Sequence, residues 1–438
     1  MGAMFAWNVG ACDQAVAAAL KNKAKDRIFR GMRTSYQFSS IKTMRVRSGL
    51  IQTLRPLVHM SAAPHTAPRI LHIASWYPSA VHGTLGNFVE RHVQAIATRC
   101  RGEVWYAAPV PAQQTVPANS VRDCGNYTER IFYFRARKPA VRQVTSALLK
   151  AAQSTEPFDL IHLHVAYPAG KAARKLARQW NVPLVVTEHW TAYHADQRRA
   201  LPFWRRHSML KTGRAAAALC PVSEDLAASM RDFGINGSYF PVPNVVDTTL
   251  FHPAQRNRLG DAFHALHISS LRDDQKNISG MLRAFGKALA ACPNLRISII
   301  GDGDPEPHLR YARELGIVDR IEIAGEISLT EVAERMRAAD ALILFSRFEN
   351  FPCVIPEAWG SGIPVLSTDV GGIREHLTPD RGALVANEDE TALSATLTAW
   401  AQGNATFEAE AMRQYAETTF SVAAVANAYH GVYLGVLK

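Results

Sequence analysis

Two glutamates stand eight residues apart in the run Glu349-Asn-Phe-Pro-Cys-Val-Ile-Pro-Glu357. That spacing covers a loop and the start of a helix. A carboxylate accepts two hydrogen bonds at once, which suits a vicinal diol such as a ribose, while the second carboxylate can face a neighbouring sugar ring. Residues 352–362 are mostly apolar, so Glu357 is expected to be buried, and a buried charge needs a partner. Asn350 and Phe351 follow the first glutamate and belong to the same candidate site. Lys276 stands in Leu271-Arg-Asp-Asp-Gln-Lys-Asn277, after an apolar strand pattern and before an amphipathic helix. There an ammonium adds a point charge where backbone N–H groups and the helix dipole already attract phosphate. The alternative is a solvated loop cation. Gly301 and Gly303 in Gly301-Asp-Gly-Asp304, and the pair Gly371-Gly372, also follow strand patterns. Such glycines either let the backbone approach a ligand or simply turn the chain. No third glycine completes a dinucleotide fingerprint, and no GxxxxGK[ST] run exists. In the first half of the chain, His189 ends a strand pattern in Thr187-Glu-His-Trp190, and Gly86 closes a loop before a helix.

These residues need a scaffold that gathers strand ends. From residue 69 onward, short apolar runs alternate with helical patterns. Strands are expected over 70–74, 104–108, 131–134, 160–164, 184–187 and 217–222. A second series follows over 265–269, 296–300, 321–324, 341–345, 364–367 and 383–385. Helices are expected over 278–289, 307–315, 329–338, 357–360 and 390–400, the fourth beginning at about Pro356. Uninterrupted apolar strands flanked by helices predict parallel sheets covered on both faces. The fold class is therefore α/β: two tandem doubly wound Rossmann-like domains facing a cleft, with the ligand beyond the carboxyl ends of the strands. The expected divisions are a basic extension over 1–68, a first domain over 69–242, a second over 243–420 and a last helix over 421–438. Pro241, Pro243 and Asn244 mark the hinge.

The chain has 438 residues, 47% hydrophobic and 20% charged, ordinary values for a folded protein of two or three domains. Ten of its 49 basic residues but two of its 38 acidic ones fall within 1–68. The body is thus only mildly basic, which argues against a nucleic-acid partner. The extension reads as poorly ordered, with Met44 or Met60 as alternative starts; the other reading is a basic arm on anionic lipid. Six scattered cysteines without a CxxC pair fit a reducing compartment. No run of about 18 apolar residues predicts a membrane span. His92, His162, His164 and His194 lack a metal-ligand pattern with nearby acids and read as structural.

Taken together, these motifs resemble the retaining glycosyltransferases of family 4 (glycosyl transferases group 1), which have the GT-B fold. The resemblance runs from residue 69 to the end. Its most specific element is Glu349–Glu357, an E-x7-E motif, followed by Ala358-Trp-Gly-Ser-Gly-Ile-Pro-Val365 and Gly371-Gly-Ile-Arg-Glu375. Pro243-Asn-Val-Val-Asp247, Val222-Ser-Glu224, Asp159-Leu-Ile-His-Leu-His164 and the loop from Gly83 to Gly86 support it.

The resemblance implies roles by position. Glu357 would bind the nucleotide ribose, Glu349 the donor sugar, and Lys276 the diphosphate. His189 would approach the donor sugar from the first domain. Gly86, Gly301, Gly303, Gly371 and Gly372, with Asn350 and Phe351, would line the donor pocket. The family often carries an arginine just before the leucine of the phosphate loop; here Ser270 stands there, and Arg272 is the substitute on offer. The implied activity is retaining, metal-independent hexosyl transfer from a nucleoside-diphosphate sugar to a glycan or lipid-linked acceptor. No cofactor or metal is implied. The location implied is cytoplasmic, with peripheral contact at the inner face of the membrane through the basic extension. Alternatives on the same fold are a sugar-nucleotide epimerase and a non-catalytic partner subunit.

Overall fold

The computed structural model describes residues 67–136, 140–254 and 262–438. The expected basic extension lies almost wholly outside the described residues. Two sheets form. The first has the order β3-β4-β2-β1-β5-β6-β7. Its strands are β1 (Arg69–Ala74), β2 (Arg101–Val110), β3 (Asn119–Asp123), β4 (Tyr127–Arg135), β5 (Leu160–His164), β6 (Leu184–Glu188) and β7 (Ala218–Pro221). The second has the order β10-β9-β8-β11-β12-β13. It contains β8 (His264–Ile268), β9 (Arg296–Ile300), β10 (Ile321–Ala324), β11 (Ala341–Leu344), β12 (Val365–Thr368) and β13 (Gly382–Val385). Every pairing is parallel except β3 with β4. Two doubly wound sheets are thus what the sequence pattern predicts.

Both faces of each sheet are covered, which is why the central strands read as continuous apolar runs. On one face of the first sheet, Leu71, Trp105, Ile161 and Val186 pack with Leu148 and Leu176 of the helices Ala140–Ala151 and Gly170–Trp180. On the other face lie the helix Asn87–Ala97, through Val89 and Val93, and the last helix, Val422–Val436. That last helix brings Val425, Tyr429 and Tyr433 against Ile70, Leu160 and Val185. The second sheet buries Ile297, Ile299 and Leu366 under Ile278, Met281 and Phe285 of the helix Ile278–Ala291. Its other face packs on Val332, Met336, Ile355, Trp359 and Phe420. Each large apolar side chain so buried contributes about 1.5–3 kcal/mol.

Helix ends are set by local chemistry. Ser328 and Glu331 form a capping box at the helix Leu329–Ala338. Ser223 caps Glu224–Asp232, and Ser421 caps the last helix. The helix carrying Glu357 spans Val354–Gly360, two residues earlier than Pro356 alone suggested. Proline still falls in the first turn, where its missing N–H has no intrahelical partner to lose.

Candidate functional site

The site lies where the carboxyl ends of β8, β11 and β12 face the helix Asn87–Ala97 and the loop after β6. Glu349 follows β11 and is 8% exposed; Glu357, on Val354–Gly360, is 2% exposed. Neither charge stands alone. The Lys276 ammonium donates to Glu349 Oε1. The Arg91 guanidinium, from the helix Asn87–Ala97, donates to Glu357 Oε1. Burial pushes the Glu357 carboxyl above its ordinary value, and Arg91 draws it back down. The partner that a buried Glu357 requires is thus a residue 266 positions away, one that the sequence pattern left unremarked. Its one sequence trace is a charge placed beside the apolar face of an amphipathic helix.

Lys276 ends a single helical turn, Asp273–Lys276, and Asn277 then adopts a left-handed conformation (φ 51°) before the next helix begins. Arg347 holds that loop from behind. Its guanidinium reaches the Asp273 carbonyl and, at 2.6 Å each, Asn277 Oδ1 and Glu388 Oε1. Arg272 turns to Asp274, at 2.5 Å. This arginine, the substitute on offer for the one absent at position 270, thus pairs with its own loop neighbour.

At each glycine of the candidate donor pocket, an added Cβ would meet atoms of the chain itself. A side chain on Gly301 would place Cβ 1.6 Å from the Ser269 carbonyl oxygen. Gly303 packs against Leu271 at φ +130°. The close approach is to the chain's own backbone at Gly301 and to the Leu271 side chain at Gly303. Gly86 (φ +72°) starts the helix Asn87–Ala97, and a Cβ there would lie 2.5 Å from the Trp76 carbonyl group. A Cβ on Gly371 (φ +57°) would lie 2.1 Å from the Glu349 carbonyl oxygen, and the Gly372 N–H donates to the Asn350 carbonyl at 2.7 Å. The Gly371-Gly372 pair thus fixes the Glu349–Asn350 backbone. Asp302 and Asp304 are exposed.

Asn350 bridges the cleft. Its Nδ2 donates to the His189 carbonyl at 2.5 Å, and His194 Nε2 lies 2.7 Å from its Oδ1. Phe351 is buried, stacks on Phe420 and packs at a tilt against His376. Asn244 Nδ2 donates to the Phe351 carbonyl at 2.6 Å, tying the hinge to this loop. Glu375 accepts from the backbone N–H groups of Glu224 and Asp225, at 2.9 and 2.8 Å. A carboxylate on a helix N-terminus is favourable. Sequence reasoning noted Glu375 but not this cross-cleft cap.

His189 packs at a tilt against Phe88 and His92, with ring centroids 4.5 and 5.0 Å apart. Below it lies a cluster that the alternation of β5 foreshadows, because His162 and His164 share one face. His72, in register with His162, joins them: its Nδ1 lies 3.2 Å from His164 Nε2. His162 also contacts Tyr433 at 2.6 Å and Thr187 at 2.7 Å. His72, His162 and His164, and likewise His92, His164 and His189, bring ring nitrogens within 4.8 Å of one another. Geometrically these groups could hold a metal ion. Neither includes a carboxylate, and neither includes Glu349 or Glu357.

Burial holds these imidazoles neutral. It lowers His72 to about 3 and His92 to about 4, and places His162, His164 and His189 well below the ordinary 6.5. In the second half of the chain His267 and His376 are likewise lowered to about 4. A histidine with a depressed folded pKa binds its proton more readily in the unfolded chain. Its contribution is therefore fully present above about 6.5 and is lost as pH falls towards about 4. Glu188 and Glu357, raised by burial, act in the opposite sense but are fewer. Thermal unfolding between pH 7.5 and 5 should show a falling midpoint with acid. A midpoint that stays flat or rises would contradict the neutral cluster.

With this geometry in view, the comparisons with known proteins are direct. The model of Glycosyltransferase Family 4 matches residues 85–250, and that of Glycosyl transferases group 1 matches residues 262–402. The teichuronic acid biosynthesis glycosyltransferase TuaC of Bacillus subtilis is 26% identical over 361 residues, covering 75% of this chain and 88% of that protein. D-inositol 3-phosphate glycosyltransferase 2 of Catenulispora acidiphila is 30% identical over 272 residues, 56% of this chain and 63% of that protein. The Anabaena protein HepE, solved in complex with UDP-glucose, superposes with a TM-score of 0.64 over 84% of this chain and 100% of that one, at 17% identity.

Proposed function

Because this chain belongs to the glycosyltransferases of family 4 (glycosyl transferases group 1), with the GT-B fold, we propose that it moves a sugar from a nucleoside-diphosphate donor to a glycan or lipid-linked acceptor. The observation that carries this reading is the pair of buried ion pairs, Lys276–Glu349 and Arg91–Glu357, at strand ends facing one cleft. Each is a charge held ready for a charged or polyhydroxylated ligand.

In this reading Glu357 accepts the two ribose hydroxyls and Lys276 meets the diphosphate. Glu349 then turns from Lys276 to the hydroxyls of the donor sugar, and His189 bounds the sugar from the other side. The anomeric C–O bond breaks with its electrons passing to the diphosphate, whose growing charge Lys276 and the adjoining helix N-terminus stabilise. The oxocarbenium-like centre is attacked from the same face by an acceptor hydroxyl. Its proton passes to the departing phosphate oxygen, so configuration is retained. No metal takes part in this scheme. The neutral histidines beneath His189 place no positive charge next to the oxocarbenium. Polysaccharide or glycoconjugate synthesis is the setting we favour, supported by the likeness to TuaC, and we place it on the cytoplasmic side of a membrane.

Thermal unfolding of the full chain against UDP, GDP, ADP and CMP, each with and without Mg²⁺, tests the donor assignment. One nucleotide at ~100 times its dissociation constant should stabilise the fold by about 2.7 kcal/mol. UDP comes first, because HepE was solved with UDP-glucose. Stabilisation by none of the four would overturn the reading, and dependence on Mg²⁺ would overturn the metal-free part of it.

A further inference from the structure

The helix Phe203–Gly213 carries a surface that the transfer reaction does not use. Phe203 is 77% exposed and Trp204 59%, and their rings meet edge to face at 5.2 Å. Large aromatic side chains left in water at adjacent positions are unusual on a helix whose other face is buried. That other face is accounted for: Met209, Thr212 and Gly213 are buried, and Gly213 packs on Ile235. The outward face continues from the aromatic pair through Arg206, His207, Lys211 and Arg214, all exposed, and Arg199 is exposed just before the helix. Between Asp196 and Glu224 the chain holds no acidic residue.

We propose that this aromatic-tipped, basic helix face lies on the surface of an anionic lipid bilayer. Phe and Trp insert at the headgroup level, where amphipathic rings are favoured, while Arg199, Arg206 and Lys211 meet the lipid charge. Charge decides between this occupant and a second copy of the chain. Two such faces brought together would set arginine and lysine against arginine and lysine, whereas an anionic bilayer complements them. The surface lies flat on the membrane rather than through it: among the described residues no helix is long and apolar enough to span one. The segment also starts at the cleft, since His194 contacts Asn350 nine residues before Phe203. A chain docked here holds its cleft beside the headgroups, where a lipid-linked acceptor would be presented. The docking surface itself is independent of the transfer reading, and its test involves no sugar.

The test is co-sedimentation of the full chain with vesicles of phosphatidylcholine alone and of phosphatidylcholine with about one third phosphatidylglycerol. The expected result is binding to the anionic vesicles that weakens with salt and is much poorer on phosphatidylcholine. The double variant Phe203→Ser/Trp204→Ser should partition at least about tenfold more weakly. Arg199→Glu/Lys211→Glu should do the same. All four positions are exposed, so the thermal midpoint should not move, and it is measured alongside. Undiminished binding by the aromatic variant would overturn the proposal and assign the attraction to the basic residues within 1–68. Absence of binding by the unaltered chain would also overturn it. So would lipid-free self-association that the aromatic variant abolishes, because the face would then join two copies.

Discussion

Glu357→Ala is expected to lower turnover by at least about 100-fold. A carboxylate that takes both hydroxyls of a ribose makes two charge-assisted hydrogen bonds, each worth about 1.5–3 kcal/mol. At 1.4 kcal/mol per decade, their joint loss is about two to four orders of magnitude. The variant has a second consequence, which must be separated from the first. Arg91 donates to Glu357 within a largely buried pair, and removing one partner of such a pair costs about 3–5 kcal/mol. Arg91 keeps some solvent contact, so the lower end applies. Glu357→Gln is the better probe, since it keeps the volume and one acceptor oxygen. The discriminating readout is the sugar of the nucleotide. The unaltered protein should prefer a ribonucleotide over its 2′-deoxy analogue, and Glu357→Gln should flatten that preference. Arg91→Met should leave it in place. Loss of the preference in Arg91→Met but not in Glu357→Gln would reverse the two roles, and near-normal turnover in Glu357→Ala would sink the ribose assignment.

The unequal legibility of these residues has a physical basis. A strand such as β11, Ala-Leu-Ile-Leu, could be read from the sequence because burial on both faces demands an unbroken apolar run. β3, Asn-Ser-Val-Arg-Asp, could not: it is a largely exposed antiparallel edge strand, held by backbone pairing with β4, and its composition carries no trace of burial. Glu357 could be found because a charge in an apolar run is an anomaly wherever it occurs, and Glu349 by its spacing from it. Arg91 could not, because its partner is set by how the helix Asn87–Ala97 faces Val354–Gly360, a matter of tertiary geometry. The histidines show the same boundary. Alternation along β5 placed His162 and His164 on one face, but only the register of β1 against β5 adds His72 to them. For the glycines, sequence pointed correctly to close backbone approach at Gly301 and Gly371, yet the approaching atoms are the carbonyls of Ser269 and Glu349. Nothing in a local pattern distinguishes a ligand from the next strand.

Lys276→Met should reduce turnover by about 10²–10³-fold, the range for losing one donor aimed at developing negative charge. Methionine keeps the length and apolar stem while removing the ammonium. Here too the apo pairing complicates the reading, because Lys276 donates to Glu349 and its loss leaves a mostly buried carboxylate without that partner. If neutralising Glu349 were the only task of the lysine, Lys276→Met/Glu349→Gln would bind nucleotides as the unaltered protein does. If the ammonium meets the diphosphate, the double variant should still lose the extra stabilisation that a nucleoside diphosphate gives over the monophosphate. The comparison of the two nucleotides by thermal unfolding therefore isolates the phosphate contact from catalysis. The Arg347 scaffold predicts a further asymmetry. It holds the 273–277 backbone through the Asp273 carbonyl and Asn277, so the loop should keep its shape without the Lys276 side chain. Lys276→Met should then leave nucleoside affinity unchanged while diphosphate affinity falls. An equal loss for nucleoside and nucleoside diphosphate would mean that Lys276 shapes the pocket rather than binding phosphate, and the assignment of the leaving group to this loop would fail.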